Sequence, residues 1–273
     1  NIHIIDLAKT KQGLEDAGAF IKDLASRNGT LVVVGTKRQG RGIVQEVLRQ
    51  VFDSEVFDRE TQIFDSETQI RGTESAQTRG AQDKKAGEGL YYVTNRWVGG
   101  LLTNFQEVSK NFRKYHDFIT DLQDDELKSR YTKKEIGLWD KERQKLENLY
   151  GGVANITKKP DALFIIDSHL EDLAVREART MHVTTVAIVD TNADPSLIDY
   201  PIPANDDAVG SIKLIVNYII DAWIEGRKEG ESRVKKEMNS VMKMAKKLEK
   251  EKKTKPAKEA KKDDKSAGSK ETA

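Results

Sequence analysis

Residues 30–34 read Thr-Leu-Val-Val-Val, and residues 162–166 read Ala-Leu-Phe-Ile-Ile. Both runs are apolar at nearly every position and lack the alternation of a strand that has one face in water. Continuously apolar strands of this kind are typical of parallel sheets, because helices cover both faces of such sheets. The two runs therefore predict central strands of a doubly wound sheet.

Strand and helix patterns alternate around these two runs, which favours a parallel sheet flanked by helices. We predict strands over residues 2–5, 30–34, 91–93, 162–166 and 184–189. Helical patterns cover residues 11–27, 39–51, 171–181 and 210–224. The predicted fold class is therefore α/β, a Rossmann-like or flavodoxin-like parallel sheet, and residues 1–103 and 151–226 form its core domain.

Residues 104–150 interrupt the alternation with two successive helical patterns. Apolar side chains of the first helix recur at steps of three and four, the spacing of a coiled-coil seam: Phe105, Val108, Phe112, Tyr115, Ile119 and Leu122. The second helix opens with Thr132 and Glu135, a capping-box pair. The region predicts an inserted antiparallel coiled-coil hairpin, and the alternative is two ordinary helices packed on the domain.

Two polar segments are predicted to lie outside the folded core. Residues 53–89 contain a near-duplicated heptapeptide, Phe-Asp-Arg-Glu-Thr-Gln-Ile at 57–63 and Phe-Asp-Ser-Glu-Thr-Gln-Ile at 64–70. Their few apolar side chains do not offset the entropy of ordering, so we predict a disordered insertion. Residues 227–273 are rich in lysine, and we expect a tail that is helical at first and then disordered.

Composition narrows the function classes. The 273 residues carry a formal net charge of +1, which argues weakly against a nucleic-acid binder, although phosphate affinity depends on local clusters. The chain has no cysteine and four scattered histidines, so we expect no metal and no cofactor. No apolar run approaches the roughly 20 residues that cross a bilayer, which predicts a soluble protein, and the lack of cysteine fits a reducing cytoplasm. Because Asn1 is not methionine, we also expect residues upstream of it.

A first candidate site is the glycine-rich turn at residues 35–42, Gly-Thr-Lys-Arg-Gln-Gly-Arg-Gly, between a predicted strand and a helix. Such turns present backbone amides to anions. The spacing matches neither G-x-G-x-x-G nor a Walker loop, which counts against nucleotide binding. Lys37, Arg38 and Arg41 instead suit the phosphates of a nucleic acid.

A second candidate site is the loop that follows the strand at residues 91–93. It is dense in residues that can stack a base, reach a phosphate or approach a backbone closely: Asn95, Arg96, Trp97, Thr103 and Asn104. The alternative is a tight turn with Trp97 in the core. The helix that follows carries Lys110, Arg113 and Lys114 away from its apolar seam, where they form either an RNA-facing edge or an ordinary solvated face.

Acids also cluster after the predicted strands: Asp167, Asp190, Asp194, Asp206 and Asp207. The carboxyl ends of parallel strands are where α/β proteins usually bind ligands, which would suit these acids to metal or catalytic roles. No histidine, serine elbow or matched acid and base accompanies them. Helix capping by Ser168 and Asp206, and a turn at Asp194, explain most of the cluster.

Several motifs occur in one order along the chain: Ile-His-Ile-Ile-Asp-Leu at residues 2–7, Gly-Thr-Lys-Arg at 35–38, Asn-Arg-Trp-Val-Gly-Gly-Leu-Leu-Thr-Asn at 95–104, Pro-Asp-Ala-Leu at 160–163, Ala-Ile-Val-Asp-Thr-Asn at 187–192 and Ile-Pro-Ala-Asn-Asp-Asp-Ala at 202–208. Together they resemble the ribosomal protein S2 family of the bacterial small (30S) subunit. The sequence departs from the family pattern by Val98 in place of leucine and by the longer insertion at 53–89.

The resemblance implies a Rossmann-like sheet that carries a coiled-coil hairpin. It also implies rRNA binding near the junction of head and body, contact with neighbouring ribosomal proteins, and help in docking the large mRNA-binding protein S1. The resemblance further implies an RNA-facing or loop-organising surface that includes Lys37, Arg38, Arg96, Trp97 and Asn104.

Two other function classes remain open from the residues alone. A Rossmann-type nucleotide-binding enzyme would require bound nucleotide and loss of turnover when Gly35, Asp167 or Asp190 is changed. A free-standing adaptor would use the hairpin as a helix-binding arm and show no salt-sensitive RNA affinity. The resemblance favours a structural constituent of the ribosome that is not an enzyme.

Overall fold

The computed structural model describes residues 4–64 and 89–254. Its five strands are β1 (Leu31–Val34), β2 (Leu90–Val93), β3 (Ala162–Ile165), β4 (Thr184–Val189) and β5 (Tyr200–Pro203). They form one sheet in the order β2-β1-β3-β4-β5, and every neighbouring pair is parallel. This is the strand order of flavodoxin-like doubly wound sheets, and the predicted α/β class is confirmed.

Side chains of the central strands divide between two cores, one on each face of the sheet. Val33 and Phe164 belong to one buried cluster, while Val32, Val34 and Leu163 belong to the other. Successive strand residues point to opposite faces, so a run that is apolar throughout needs helices on both sides. Both faces of the continuous apolar runs are therefore buried, as their composition predicts.

Three helices cover each face. The first face carries α1 (Leu7–Ser26), α2 (Arg38–Phe64) and the part of α7 (Val209–Thr254) up to Trp223. The other face carries α3 (Phe105–Gln123), α5 (Lys133–Tyr150) and α6 (Asp172–Thr180). A short helix, α4 (Asp125–Ser129), lies between α3 and α5 in the chain.

The predicted strand at residues 2–5 is wrong where the structure describes it. Ile2 and His3 lie outside the described residues, and Ile4 and Ile5 are in no strand. Helix α1 starts directly after them, because the Asp6 carboxylate accepts a hydrogen bond from the Ala8 amide at 2.9 Å and caps the helix.

The fifth strand, β5, was not predicted. Its sequence is Tyr-Pro-Ile-Pro, and proline cannot donate a hydrogen bond to a sheet ladder. The strand lies at the edge of the sheet, beside β4 alone, and an edge is where a sheet tolerates proline. The prolines that hid the strand from pattern reading therefore also account for its position.

Two Asp–Thr pairs tie loops to the amino ends of strands. Asp161 Oδ2 accepts hydrogen bonds from the Thr30 amide and the Thr30 hydroxyl, both at 2.8 Å. Asp199 Oδ2 accepts the same pair of bonds from Thr185, at 2.8 and 3.0 Å. These bonds satisfy backbone amides at strand starts that would otherwise be buried without a partner.

Helices α3 and α5 pack against each other where the sequence predicted a hairpin. The rings of Phe112 and Tyr150 are 5.4 Å apart, and Lys114 Nζ lies 3.4 Å from a Glu142 carboxylate oxygen. The capping box of Thr132 and Glu135 is confirmed at the start of α5. The region contains three helices instead of two, and its coiled-coil character stays a prediction.

The two polar segments are described only in part. Helix α2 continues to Phe64, past the predicted start of the insertion at Asp53, and residues 65–88 lie outside the described residues. The chain divides into the units Asn1–Arg227 and Lys228–Ala273. In the second unit, α7 runs to Thr254, and residues 255–273 lie outside the described part. No helix in the described ranges is long and apolar enough to cross a membrane.

Candidate nucleic-acid interface

The two basic segments singled out in the sequence lie side by side at the carboxyl edge of the sheet. Strands β1 and β2 are in register to their last residues, Val34 and Val93, so the loops that follow them leave the same edge. Arg41 links these loops, because its guanidinium donates to the backbone oxygens of Thr36 at 3.1 Å and Asn95 at 3.4 Å. Arg41 therefore organises the edge from within, and its side chain is half-buried.

Lys37 is not on an open surface. Its ammonium lies 3.0 Å from Asp167, 2.8 Å from Asp206 and 2.7 Å from Asp207, and its side chain is only 16% exposed. Burial lowers the pKa of Lys37, but the hydrogen bonds to Asp206, Asp207 and Asp167 outweigh that effect and raise it above its ordinary value. These contacts join β1 to the loops after β3 and β5, in the crevice where doubly wound folds usually hold a ligand.

The pKa values of the two buried acids of this cluster, Asp167 and Asp206, are shifted in opposite directions. Burial raises the pKa of Asp167, but a backbone hydrogen bond from Leu170 and the contact with Lys37 bring it below its ordinary value. Burial and the neighbouring Asp167 charge keep the pKa of Asp206 raised, although Lys37 opposes them. The Lys37 ammonium therefore stabilises the fold, because its positive charge compensates acids that would otherwise be buried without a partner.

The other acids at this edge mostly receive backbone amides, as expected from capping and turn formation. Asp194 accepts the Ser196 amide at 2.9 Å, which confirms the predicted turn. The predicted caps at Ser168 and Asp206 are wrong: the Ser168 hydroxyl donates to the Ile188 oxygen, and Asn205 Oδ1 accepts the Asp207 and Ala208 amides just before α7. Within the described ranges, no group of His, Asp or Glu is arranged to hold a metal ion.

Glu171 lies buried beside this crevice. Burial raises the pKa of Glu171 above its ordinary value, the Thr36 hydroxyl that donates to it opposes the rise, and the charge of Asp167 adds to it. The side chains at this crevice thus bind one another, Lys37 with its carboxylates and Thr36 with Glu171.

Trp97 belongs to the core and not to the surface. It is 4% exposed and packs in the same buried cluster as Leu102 and Phe112. Its indole Nε1 is buried, with no hydrogen-bond partner among the described residues. The open alternative of a tight turn with Trp97 inside is the one the structure shows, so this ring cannot stack on an RNA base without leaving the core.

The loop around Trp97 is tied to two helices. Asn95 donates from Nδ2 to the Asn148 oxygen on α5 at 2.6 Å. Thr103 and Asn104 are exposed at the loop's end, and Asn104 precedes α3 without capping it through its side chain. The second helix is α6, whose Glu177 accepts hydrogen bonds from the loop and was not among the residues predicted from the sequence. Glu177 is 6% exposed, and the available signal was an acid beside Ala174 and Ala178 on the apolar face of an amphipathic helix.

The remaining basic candidates are exposed. Arg38, at the first position of α2, and Arg96, in the β2–α3 loop, both face solvent. On α3, Lys110 pairs with Glu107 at 2.8 Å, and Lys114 pairs with Glu142 while its ammonium lies 5.5 Å from the centre of the Phe118 ring. Counting only the residues that the structure describes, the exposed arginines without an ion pair at this site are Arg38, Arg96 and Arg113.

Comparison with known proteins gives one consistent result. The family model described as ribosomal protein S2 matches residues 1–62 and 63–226. The chain is 38% identical over 245 residues to the small ribosomal subunit protein uS2 of Bifidobacterium animalis, which covers 89% of this chain and 69% of that protein. It is 37% identical over 225 residues to uS2 of Sorangium cellulosum, covering 82% and 67%, and 35% identical over 233 residues to uS2 of Corynebacterium diphtheriae, covering 85% and 73%.

Proposed function

The chain belongs to the ribosomal protein S2 family and has a structural role in the small ribosomal subunit, and on this premise we propose which of its surfaces contacts the rRNA. Membership implies binding to small-subunit rRNA and to other ribosomal proteins. The reading as a nucleotide-dependent enzyme is not supported.

The proposed contact is the carboxyl edge of the sheet next to β1 and β2, with Arg38 and Arg96 as its phosphate ligands. One observation carries it: Arg38 at the start of α2 and Arg96 in the β2–α3 loop are both exposed, whereas the ammonium of the neighbouring Lys37 is paired with three carboxylates. The start of α2 adds the positive end of a helix dipole at Arg38. Arginine on such an edge suits the two-pronged hydrogen bonding of phosphate oxygens.

The exposed basic side chains of α3 extend this contact in the proposal. Lys110, Arg113 and Lys114 are exposed there and lie off the apolar seam that packs on α5. The surface pairs of Lys110 and Lys114 with glutamates are weak in water. They can therefore exchange for phosphate at little cost, so these lysines add affinity without specifying a sequence.

Further parts of the proposal rest on the family resemblance. The protein acts on the ribosome in the cytoplasm, carries out no reaction of its own, and contributes to docking of the mRNA-binding protein S1. The α3–α5 pair is the proposed coiled-coil hairpin and a contact for neighbouring ribosomal proteins. The core residue Trp97 and the partly buried Arg41 and Lys37 hold the RNA-facing loops in place in this scheme.

Sedimentation tests the placement. Cell lysate is run on sucrose gradients at low and high salt, and the small-subunit fraction is probed for the protein. Near-stoichiometric presence there supports the role, and protein at the top of the gradient under both conditions refutes it. The RNA surface is tested by rebinding Arg38→Met and Arg96→Ala to subunits stripped of the protein by salt. Each lost phosphate contact should lower the log–log salt slope by about 0.7 to 0.9.

A further inference from the structure

We infer that Glu177 is a positioning residue for RNA binding: its buried carboxylate holds the 99–104 loop in the conformation that presents Arg96. The inference rests on the proposed function, because it assumes that the β2–α3 loop meets RNA. Glu177 itself is 6% exposed and cannot reach a phosphate. Its effect on RNA must therefore pass through the loop.

The contacts converge on one carboxylate. Glu177 Oε1 accepts the Gly100 amide at 2.7 Å, and Oε2 accepts the Leu102 amide at 3.1 Å. Oε2 also accepts the amide and the hydroxyl of Thr103, both at 3.3 Å. Three backbone donors and one side-chain donor of a single turn are thus satisfied by a residue more than seventy positions away in the chain.

The local backbone explains why this turn needs an anion. Gly100 has a φ of +91°, a region that only glycine adopts readily, and the next residues turn their amides toward the same point. Successive amides aimed at one point form a concavity that favours negative charge. Here Glu177 of α6 supplies the anion from within the chain.

The turn is otherwise held by two local bonds, from Leu101 to the Val98 oxygen at 3.2 Å and from Asn104 to the Gly100 oxygen at 2.8 Å. The buried Leu101 and Leu102 anchor it in the core below. Arg96 lies before this turn and α3 begins directly after it. The Glu177 carboxylate therefore sets the geometry between the exposed arginine and the basic face of the helix.

The direct effect of charge and the positioning effect have opposite signs, which makes the inference testable. Removing a negative charge from a protein raises its affinity for RNA through the general electrostatic field. Loosening the loop lowers affinity, because its residues must then be ordered on binding. A fall in affinity for Glu177→Gln therefore cannot come from the charge itself.

The first measurement is amide hydrogen exchange in the free, full-length protein. Glu177→Gln keeps the size but replaces one of the two acceptor oxygens with an NH2 donor and removes the charge, and Glu177→Ala removes both acceptors. Each should raise exchange at the Gly100, Leu102 and Thr103 amides by about tenfold or more. Val175→Ala, a buried change on the same helix, is the control for general destabilisation. Slow exchange that persists at the three amides in both Glu177 variants would overturn the inference.

The second measurement is rebinding to small subunits stripped of this protein by salt. Glu177→Gln should bind about tenfold more weakly than the unmodified protein, whereas Asp172→Asn, an exposed charge change on α6, should bind equally well or more tightly. Equal or tighter binding by Glu177→Gln overturns the inference. If Arg96→Ala also binds normally while the amide exchange still responds to Glu177, the proposed RNA-facing role of the loop fails, and Glu177 retains only its hold on the turn.

Discussion

Replacing Lys37 with methionine tests whether this lysine belongs to the fold or to the RNA surface. Methionine keeps most of the apolar stem and removes the ammonium that lies within 3.0 Å of Asp167 and 2.8 Å of Asp206. Both carboxylates are buried, with side chains 8% and 5% exposed. The variant therefore leaves two acids in the interior without a compensating charge.

Removing one member of a buried ion pair typically lowers the free energy of unfolding by about 3 to 5 kcal/mol. The third partner, Asp207, is 71% exposed and adds little, because water screens it. For a domain of this size, the loss corresponds to a fall in Tm of about 6 to 20 °C. An RNA-binding lysine on the surface would change stability hardly at all.

The pH dependence gives an independent sign. The folded pKa of Lys37 is raised, so its contribution is present below the ordinary lysine value and is lost as the pH rises through the folded value. The pKa of Asp167 is lowered, so its contribution is present above the ordinary aspartate value and is lost as the pH falls through the folded value. The difference between Lys37→Met and the unmodified protein should therefore be largest near neutral pH and shrink in acid.

Urea unfolding, followed by circular dichroism at several pH values, measures these differences. Arg38→Met is the matched control, because it removes the adjacent, exposed positive charge; it should leave unfolding unchanged and weaken rebinding to stripped subunits. A loss of less than about 1 kcal/mol for Lys37→Met at neutral pH would refute the reasoning, since that is the scale of an exposed pair.

Three further outcomes follow from the same structure. Arg96→Ala should weaken rebinding to stripped subunits and lower its salt slope by about 0.7 to 0.9, with unchanged thermal unfolding; an unaltered slope would remove Arg96 from the RNA surface. Trp97→Ala should lower the free energy of unfolding by about 3 to 5 kcal/mol in urea titration, because the ring fills the core; a loss confined to RNA binding would contradict its burial. Asp161→Asn should lose about 1 to 3 kcal/mol at neutral pH, because the bonds to Thr30 weaken. The folded pKa of Asp161 is lowered, so the unmodified protein loses this contribution as the pH falls through that value, and stability equal to that of the variant at neutral pH would argue against the pair.

The sheet could be predicted from the sequence because its central strands are apolar at nearly every position. The runs at 30–34 and 162–166 need cover on both faces, whatever their neighbours are. The short edge strand β5 carries no such signal, because its prolines resemble a loop until the edge position is known. The strand predicted at residues 2–5 was wrong where the structure describes it, because a short apolar run does not by itself show whether it pairs in a sheet.

The candidate site was readable as a region but not residue by residue. The basic and glycine-rich loops after β1 and β2 were identified from their residues, and the structure brings them to one edge. Lys37 and Arg38 are neighbours with similar chemistry, yet Lys37 forms ion pairs with carboxylates and Arg38 faces solvent. The difference depends on Asp167 and Asp206, which are far away in the chain.

By itself the sequence determined the α/β class, the motifs of its family and the capping box of α5, because each depends on residues close together in the chain or on runs that must be buried. Only the tertiary structure decided that Trp97 is a core residue and that Glu177 closes the loop beside it. The burial and the hydrogen-bond partners of a residue depend on which distant strands and helices pack together. The spacing of residues within one segment does not determine that packing.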